Sequence, residues 1–181
     1  MPDVPRVRHR LPVLVADDDP NDALLLEIAF MRSGLQLDLH FVRDGREAMD
    51  YLEGKGIYRD REAHPLPHLL LLDLRMPRVG GLEVLEWLNH HRSPPNMFVV
   101  VMTGSENPGD ITLSYAFGAD ACVPKPCDPA RFMSMVSSLA RYCLEPAPRR
   151  VKRSQSRYKW PDNLFALATR NTPTTSPHRP E

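Results

Sequence analysis

The sequence predicts an α/β fold, a doubly wound five-stranded parallel sheet with helices on both faces, and two patterns carry that expectation. Between Leu11 and Leu144, short apolar runs of strand length alternate five times with segments of helical period, which is how successive βαβ units read. The third run, at 68–72, is apolar almost throughout, as a central strand covered on both faces has to be.

Each element has its own local signals. The first strand is expected over 12–16 and stops at Asp17-Asp18-Asp19. Asp19 can cap a helix that has Pro20 at its first position and Asp22 in its first turn, and Gly34 ends that helix after about Arg32. A second strand at 37–42 leads to a helix that starts near Asp44-Gly45 and stops before Gly54. The segment 54–67, rich in charge and with two prolines, reads as a surface loop. The third strand delivers Asp73 at its C-terminal end. Gly80-Gly81 precedes an amphipathic helix carrying Leu82, Val84, Leu85, Trp87 and Leu88, which Pro94-Pro95 closes off. A fourth strand at 97–102 ends at Thr103-Gly104-Ser105, and a fourth helix covers 108–117. A short strand at 121–123 gives way to Lys125-Pro126, and a last helix runs from Pro129 to Tyr142 or Cys143.

With 181 residues, 42% hydrophobic and 25% charged, the chain has the composition of one globular domain with tails rather than of a disordered protein. Pro146-Ala147-Pro148 marks a boundary, giving an N-terminal tail at 1–10, a domain at 11–145 and a C-terminal tail at 146–181. The net charge of zero conceals an asymmetry, because the C-terminal tail holds eight Lys/Arg against Asp162 and Glu181. Its low hydrophobic content favours a disordered, solubilising extension over a nucleic-acid-binding one. No apolar run is long enough to span a bilayer and 1–12 lacks a signal-peptide core, so a cytoplasmic location without membrane contact is the default expectation. Cys122, Cys127 and Cys143 show no metal-ligand spacing and read as reduced, packed thiols, and the seven histidines read as solvated.

In a doubly wound sheet, ligands bind beyond the C-terminal ends of the strands. The residues there are Asp17 and Asp18 after the first strand, Asp73 after the third, Thr103 after the fourth and Lys125 after the fifth. Taken singly, Asp17-Asp18-Asp19 reads as an acidic helix start, Asp73 as a carboxylate capping a turn, and Thr103 and Lys125 as surface residues. Taken together they place three carboxylates, a hydroxyl and an ammonium at one rim. Three close carboxylates repel one another unless a cation is present, and oxygen ligands select a hard one such as Mg²⁺. A carboxylate in that setting can attack phosphorus to form an aspartyl phosphate, with Thr103 and Lys125 serving the phosphoryl oxygens.

In order and spacing, this pattern resembles the receiver domains of response regulators over almost the whole of 11–144. The resemblance implies a (βα)5 flavodoxin-like sandwich in which Asp17 and Asp18 bind Mg²⁺, Asp73 is the phosphoacceptor, Thr103 is the switch hydroxyl and Lys125 binds phosphate. It further implies that the backbone carbonyl of Arg75 is a metal ligand and that the Lys125–Pro126 bond is cis. Pro77 and Gly81 stand where the family has a proline and a glycine. Cys122 stands where most receivers have a Tyr or Phe that follows the threonine, a role that a neighbouring aromatic such as Phe117 could take. The segments Val15-Ala16-Asp17-Asp18-Asp19-Pro20-Asn21-Asp22 and Leu71-Leu72-Asp73-Leu74-Arg75-Met76-Pro77-Arg78, with the long connection from Tyr51-Leu52 to Pro67, look most like the small stand-alone regulators that partner bacterial phytochrome kinases.

The expected function is that of a single-domain two-component response regulator. It accepts a phosphoryl group on Asp73 from a histidine kinase or phosphotransfer protein and signals by protein contact or phosphorelay. It catalyses its own phosphotransfer and dephosphorylation with Mg²⁺ but is not a dedicated enzyme. Arg75 stands where aspartyl-phosphate phosphatases carry a second aspartate, and no Gly-x-Gly-x-x-Gly follows the first strand. Phe132, Met133, Met135, Val136, Leu139 and Tyr142 exceed what one core stripe needs, which predicts a homodimer through the fourth helix, last strand and last helix. The alternative is a transcriptional regulator that binds DNA through its basic tail, disfavoured because so short a segment cannot build a winged helix with its own core.

Overall fold

A computed structural model describes residues 10–91, 94, 97–104, 107–125 and 128–144, with the side chains of 124 and 139–144 excepted. Residues 1–9 and 145–181, Cys127 and the Lys125–Pro126 bond therefore lie outside the described residues. Five strands, β1 (Leu11–Ala16), β2 (Leu37–Val42), β3 (Leu69–Asp73), β4 (Phe98–Thr103) and β5 (Ala121–Pro124), alternate with five helices. The helices are α1 (Pro20–Ser33), α2 (Gly45–Glu53), α3 (Gly81–His90), α4 (Pro108–Ala116) and α5 (Pro129–Leu144). All strand pairs are parallel, and the order across the sheet is β2-β1-β3-β4-β5, the doubly wound arrangement that the sequence predicts.

The apolar strands are explained by burial on both faces. Side chains alternate across a strand, so Val13, Val15, Leu69, Leu71, Val100 and Met102 face one layer, where they meet Leu26, Ala29 and Phe30 of α1 and Phe132, Met135 and Val136 of α5. Leu14, Ala16, Leu70, Leu72, Val99 and Val101 face the other, against Ala48, Tyr51 and Leu52 of α2 and Val84, Leu85 and Leu88 of α3.

The helix ends follow their caps. The Asp19 carboxylate accepts the Asn21 N–H and Pro20 occupies the first turn, while Gly34, with φ of 73°, turns the chain out of α1. The Asp44 carboxylate caps α2 by accepting the Glu47 N–H at 2.8 Å, and Asn107 caps α4 by accepting the Gly109 N–H at 2.9 Å. α3 ends at His90, ahead of the prolines.

Three expectations need correction. The segment 54–67 is more than a surface loop. It forms a 3₁₀ turn at Gly56–Arg59, and Arg61 donates to the carbonyls of Tyr51 (2.8 Å), Leu52 (2.9 Å) and His64 (3.2 Å). The buried Tyr51 hydroxyl donates to the Pro65 carbonyl at 3.0 Å, and the rings of His40, Tyr58 and His64 surround it. Two of the histidines read as solvated, His40 and His64, are thus packed against aromatic rings. Finally, Phe132, Met135 and Val136 are core residues that supply no free surface, and Met133, partly buried, packs against them. Leu139 and Tyr142 lie outside the described side chains. The exposed apolar side chains near β5 come instead from α4: Ile111, Leu113 and Tyr115.

Candidate functional site

The winding of the sheet brings the C-terminal ends of β1, β3, β4 and β5 to one edge. β1 ends at Ala16, and the next side chain, Asp17, is buried, with its Oδ1 accepting the Asp19 N–H at 3.1 Å. Asp18 is exposed. Asp73 is the last residue of β3, paired with Met102 in the ladder, buried, and with its Oδ1 accepting the Arg75 N–H at 3.2 Å. Asp17, Asp18 and Asp73 each offer one carboxylate oxygen, and these oxygens lie within 4.8 Å of one another.

Lys125 is aimed into this cluster by backbone and side chain together. Its N–H donates to the Thr103 carbonyl at 2.9 Å, which fixes the chain beyond β5 to the end of β4. Its Nζ donates to Asp17 Oδ2 at 2.7 Å, Asp73 Oδ2 at 2.8 Å and Asp22 Oδ2 at 2.9 Å. Burial pushes the Lys125 ammonium down, but the three carboxylate hydrogen bonds outweigh it and hold the amine above its usual range. Asp17 is pulled both ways. Burial raises its carboxyl above the ordinary value, and the contact with Lys125 only partly offsets that. Thr103 is buried at the end of β4, and the Arg75 side chain is exposed.

Two site residues escaped the sequence reading. In the sequence, Asp22 reads only as an acidic residue in the first turn of α1, yet it is the third partner of Lys125. Arg78 adopts left-handed backbone, with φ of 64°, and its guanidinium pairs with the buried Asp44 carboxylate and lies 3.5 Å from Glu47 Oε1. Together with the Gly45 N–H on the Val79 carbonyl (2.9 Å) and the Gly81 N–H on the Leu74 carbonyl (3.0 Å), this pins the loop after Asp73 at both ends. The spacing of Asp44 and Arg78 gave no signal, because the contact joins two different βα junctions.

Cys122 lies buried on β5, and its N–H donates to the hydroxyl of Tyr115 at 3.2 Å. An aromatic side chain in contact with this position is therefore Tyr115, while Phe117, partly buried, packs against the same core cluster that holds Cys122. Burial pushes the Cys122 thiol from 9.0 up to about 11, an effect that contacts with Ser114 and Tyr115 moderate. We expect Cys122 in the folded protein to resist iodoacetamide at pH 8, where the unfolded chain reacts, with the modified peptide identified by mass spectrometry. Because the folded state binds the proton more tightly, the associated stability is present below pH 9 and is lost as pH rises from 9.0 to about 11.

Comparison with known proteins places these features in a family. The model of the response regulator receiver domain matches residues 13–137. The response regulator Rcp1 of Synechocystis sp. is 31% identical over 133 residues, covering 74% of this chain and 88% of that protein. The Mn²⁺-bound structure of a response regulator Rcp1 aligns with a TM-score of 0.69 at 29% identity, over 78% of this chain and 99% of that one. The phosphorylated cyanobacterial phytochrome response regulator RcpA aligns with a TM-score of 0.71 at 28% identity, over 77% and 98% of the two chains. RPA3017, a response regulator in red light signaling of R. palustris, aligns with a TM-score of 0.70 at 33% identity, over 78% and 99%. The chain belongs to the response regulator receiver domain family.

Proposed function

We propose that this chain is a two-component response regulator whose receiver unit, 11–145, accepts a phosphoryl group on Asp73 from a phosphohistidine. The observation that carries the reading is the convergence of Asp17, Asp18 and Asp73 oxygens within 4.8 Å, with Lys125 Nζ on two of those carboxylates. An Asp73 carboxylate oxygen attacks phosphorus, the P–N bond to the donor imidazole breaks, and its electron pair stays on that nitrogen, which takes up a proton. Lys125 supplies positive charge to the phosphoryl oxygens, and the Thr103 hydroxyl supplies a donor.

An all-oxygen cluster of three carboxylates fits a hard divalent cation, which we take to be Mg²⁺ held by Asp17, Asp18, Asp73 and the Arg75 carbonyl. When bound, the ion offsets the negative charge of the carboxylates and the phosphoryl oxygens. The metal in the Rcp1 structure, Mn²⁺, is of the same oxygen-preferring kind.

The donor is a histidine kinase or phosphotransfer protein. The similarity to RcpA, a phytochrome response regulator, and to RPA3017 of red light signaling favours a phytochrome-type kinase. Similarity to Rcp1 across 88% of that protein favours the phosphoacceptor over a DNA-binding transcriptional regulator. No helix among the described residues is long and apolar enough to cross a membrane. We place the reaction in the cytoplasm, with the kinase or phosphotransfer protein that donates the phosphoryl group. Output runs through protein contact, with the exposed Ile111, Leu113 and Tyr115 of α4 supporting self-association on the α4, β5 and α5 side.

The experiment is phosphorylation by acetyl phosphate with Mg²⁺, followed by borohydride reduction and peptide mapping. One phosphoryl group is expected, on Asp73, prevented by EDTA. Modification at another residue, or none, sinks the reading.

A further inference from the structure

A divalent cation and the Lys125 ammonium would compete for the charge of the same carboxylates, because Lys125 already donates to Asp17 Oδ2 and Asp73 Oδ2. An ammonium has three N–H donors, and here all three are used, on Asp17 Oδ2, Asp73 Oδ2 and Asp22 Oδ2. Asp17 and Asp73 belong to the oxygen cluster that fits a divalent cation, whereas Asp22 does not. We propose that Asp22 is a positioning residue that keeps Lys125 in place while a divalent cation takes Asp17 and Asp73. The inference rests on the phosphoacceptor reading of the site and adds to it a non-ligand carboxylate that makes the site receptive to metal.

Lys125 and the incoming cation compete for Asp17 and Asp73. The Lys125 side chain is 14% exposed, so an ammonium displaced from Asp17 and Asp73 would lose partners without regaining much water. Asp22 removes that difficulty. It sits in the first turn of α1, which Asp19 and Pro20 fix in position, and its side chain is 27% exposed, so its charge is less costly to maintain than that of the buried Asp17. If Asp22 could not accept, Lys125 would bind Asp17 and Asp73 more firmly, and the incoming cation would have to displace a stronger competitor. The same geometry keeps the ammonium beside Asp73, where the phosphoryl oxygens arrive. An acidic residue in the first turn also suits the helix dipole, and that simpler role has no connection with Lys125.

The test is a double-mutant cycle on Mg²⁺ affinity, measured by titration calorimetry on the full chain with Asp22→Asn, Lys125→Met and the two combined. Asp22→Asn is expected to weaken Mg²⁺ binding by roughly 10-fold, the scale of a lost outer-sphere partner. Lys125→Met alone is expected to strengthen binding, because the competing cation is gone. In the Lys125→Met background, Asp22→Asn is expected to cost about 3-fold or less, the residue of one screened charge. Equal losses in both backgrounds, or no loss in either, would overturn the proposal, because Asp22 would then act without Lys125. A wild-type crystal structure with Mg²⁺ gives a readout free of any folding defect. Lys125 Nζ is expected to remain within hydrogen-bond reach of Asp22, and a lysine that leaves Asp22 while still holding Asp17 overturns the idea. Wild-type protein that takes up no Mg²⁺ at all removes the phosphoacceptor reading and this inference together, whereas wild-type binding that Asp22→Asn leaves unchanged removes the inference alone.

Discussion

Asn in place of Asp73 is expected to give a folded protein that takes up no phosphoryl group from acetyl phosphate. The nucleophile on this reading is a carboxylate oxygen, and an amide has no negative charge with which to attack phosphorus. The fold has little reason to respond. Asp73 Oδ1 accepts the Arg75 N–H, and the amide oxygen of Asn can do the same. The second amide position turns an N–H toward Lys125 where Oδ2 had accepted from it, but the ammonium keeps Asp17 and Asp22. Against that loss, one negative charge leaves a cluster in which Asp17, Asp22 and Asp73 share the Lys125 ammonium and Asp18 lies close by. These effects oppose each other, so the net change should be about 1 kcal/mol or less. The corresponding shift in melting temperature is about 4 °C or less. Intact-protein mass spectrometry and thermal unfolding on the same sample check both halves. Undiminished labelling of the variant would mean that the acceptor lies elsewhere.

What the sequence made legible, and what it hid, divides along physical lines. Strand positions were readable because both faces of this sheet are covered, so apolar character persists along each run and stops where the chain leaves the sheet. Helix starts were readable because a capping side chain acts within three residues of itself, as Asp19, Asp44 and Asn107 do. The rim residues were readable because strand ends in a parallel sheet must share an edge. Contacts that join distant parts of the chain had no such signature. Asp22 looks like any acidic residue in a first helical turn until β5 brings Lys125 to it. Charge and proline make 54–67 resemble a solvated loop, and only the fold supplies the carbonyls of Tyr51 and Leu52 that Arg61 binds. Tyr115 and Phe117 lie two residues apart at the end of α4, and periodicity alone does not say that the Tyr115 hydroxyl accepts the Cys122 N–H while Phe117 packs against the core cluster. Phe132, Met135 and Val136 read as surplus to a core stripe for a related reason, since α5 packs against both α1 and the sheet and needs a wider stripe than a helix with one neighbour.

Alanine at Gly81 is expected to destabilise the domain by about 3 kcal/mol, the upper part of the range for overpacking a tight contact. Gly81 opens α3, and its N–H donates to the Leu74 carbonyl at 3.0 Å, which brings the helix start directly against the end of β3. A Cβ there would overlap the carbonyl oxygen of Asp73 and lie 2.8 Å from Leu74 Cα and 2.9 Å from the Asp73 carbonyl carbon. All three atoms are backbone, so no side chain can swing aside. Either the first turn of α3 moves outward, pulling Val84 and Leu85 from the core, or the strand end moves and takes Asp73 with it. The second response would reach the site, since Asp73 Oδ2 lies 2.8 Å from Lys125 Nζ, a contact that a small backbone shift would break. The variant should therefore melt about 10 °C lower and phosphorylate more slowly, whereas Asp73→Asn loses labelling alone. Gly109→Ala is the control, because the atoms nearest to its Cβ would be those of the Asn107 side chain, at 3.2 Å from Oδ1, and a side chain can yield. Thermal unfolding and acetyl phosphate labelling of the two glycine variants decide the matter, and a Gly81→Ala protein as stable as Gly109→Ala would show that α3 does not pack on the end of β3 as closely as described.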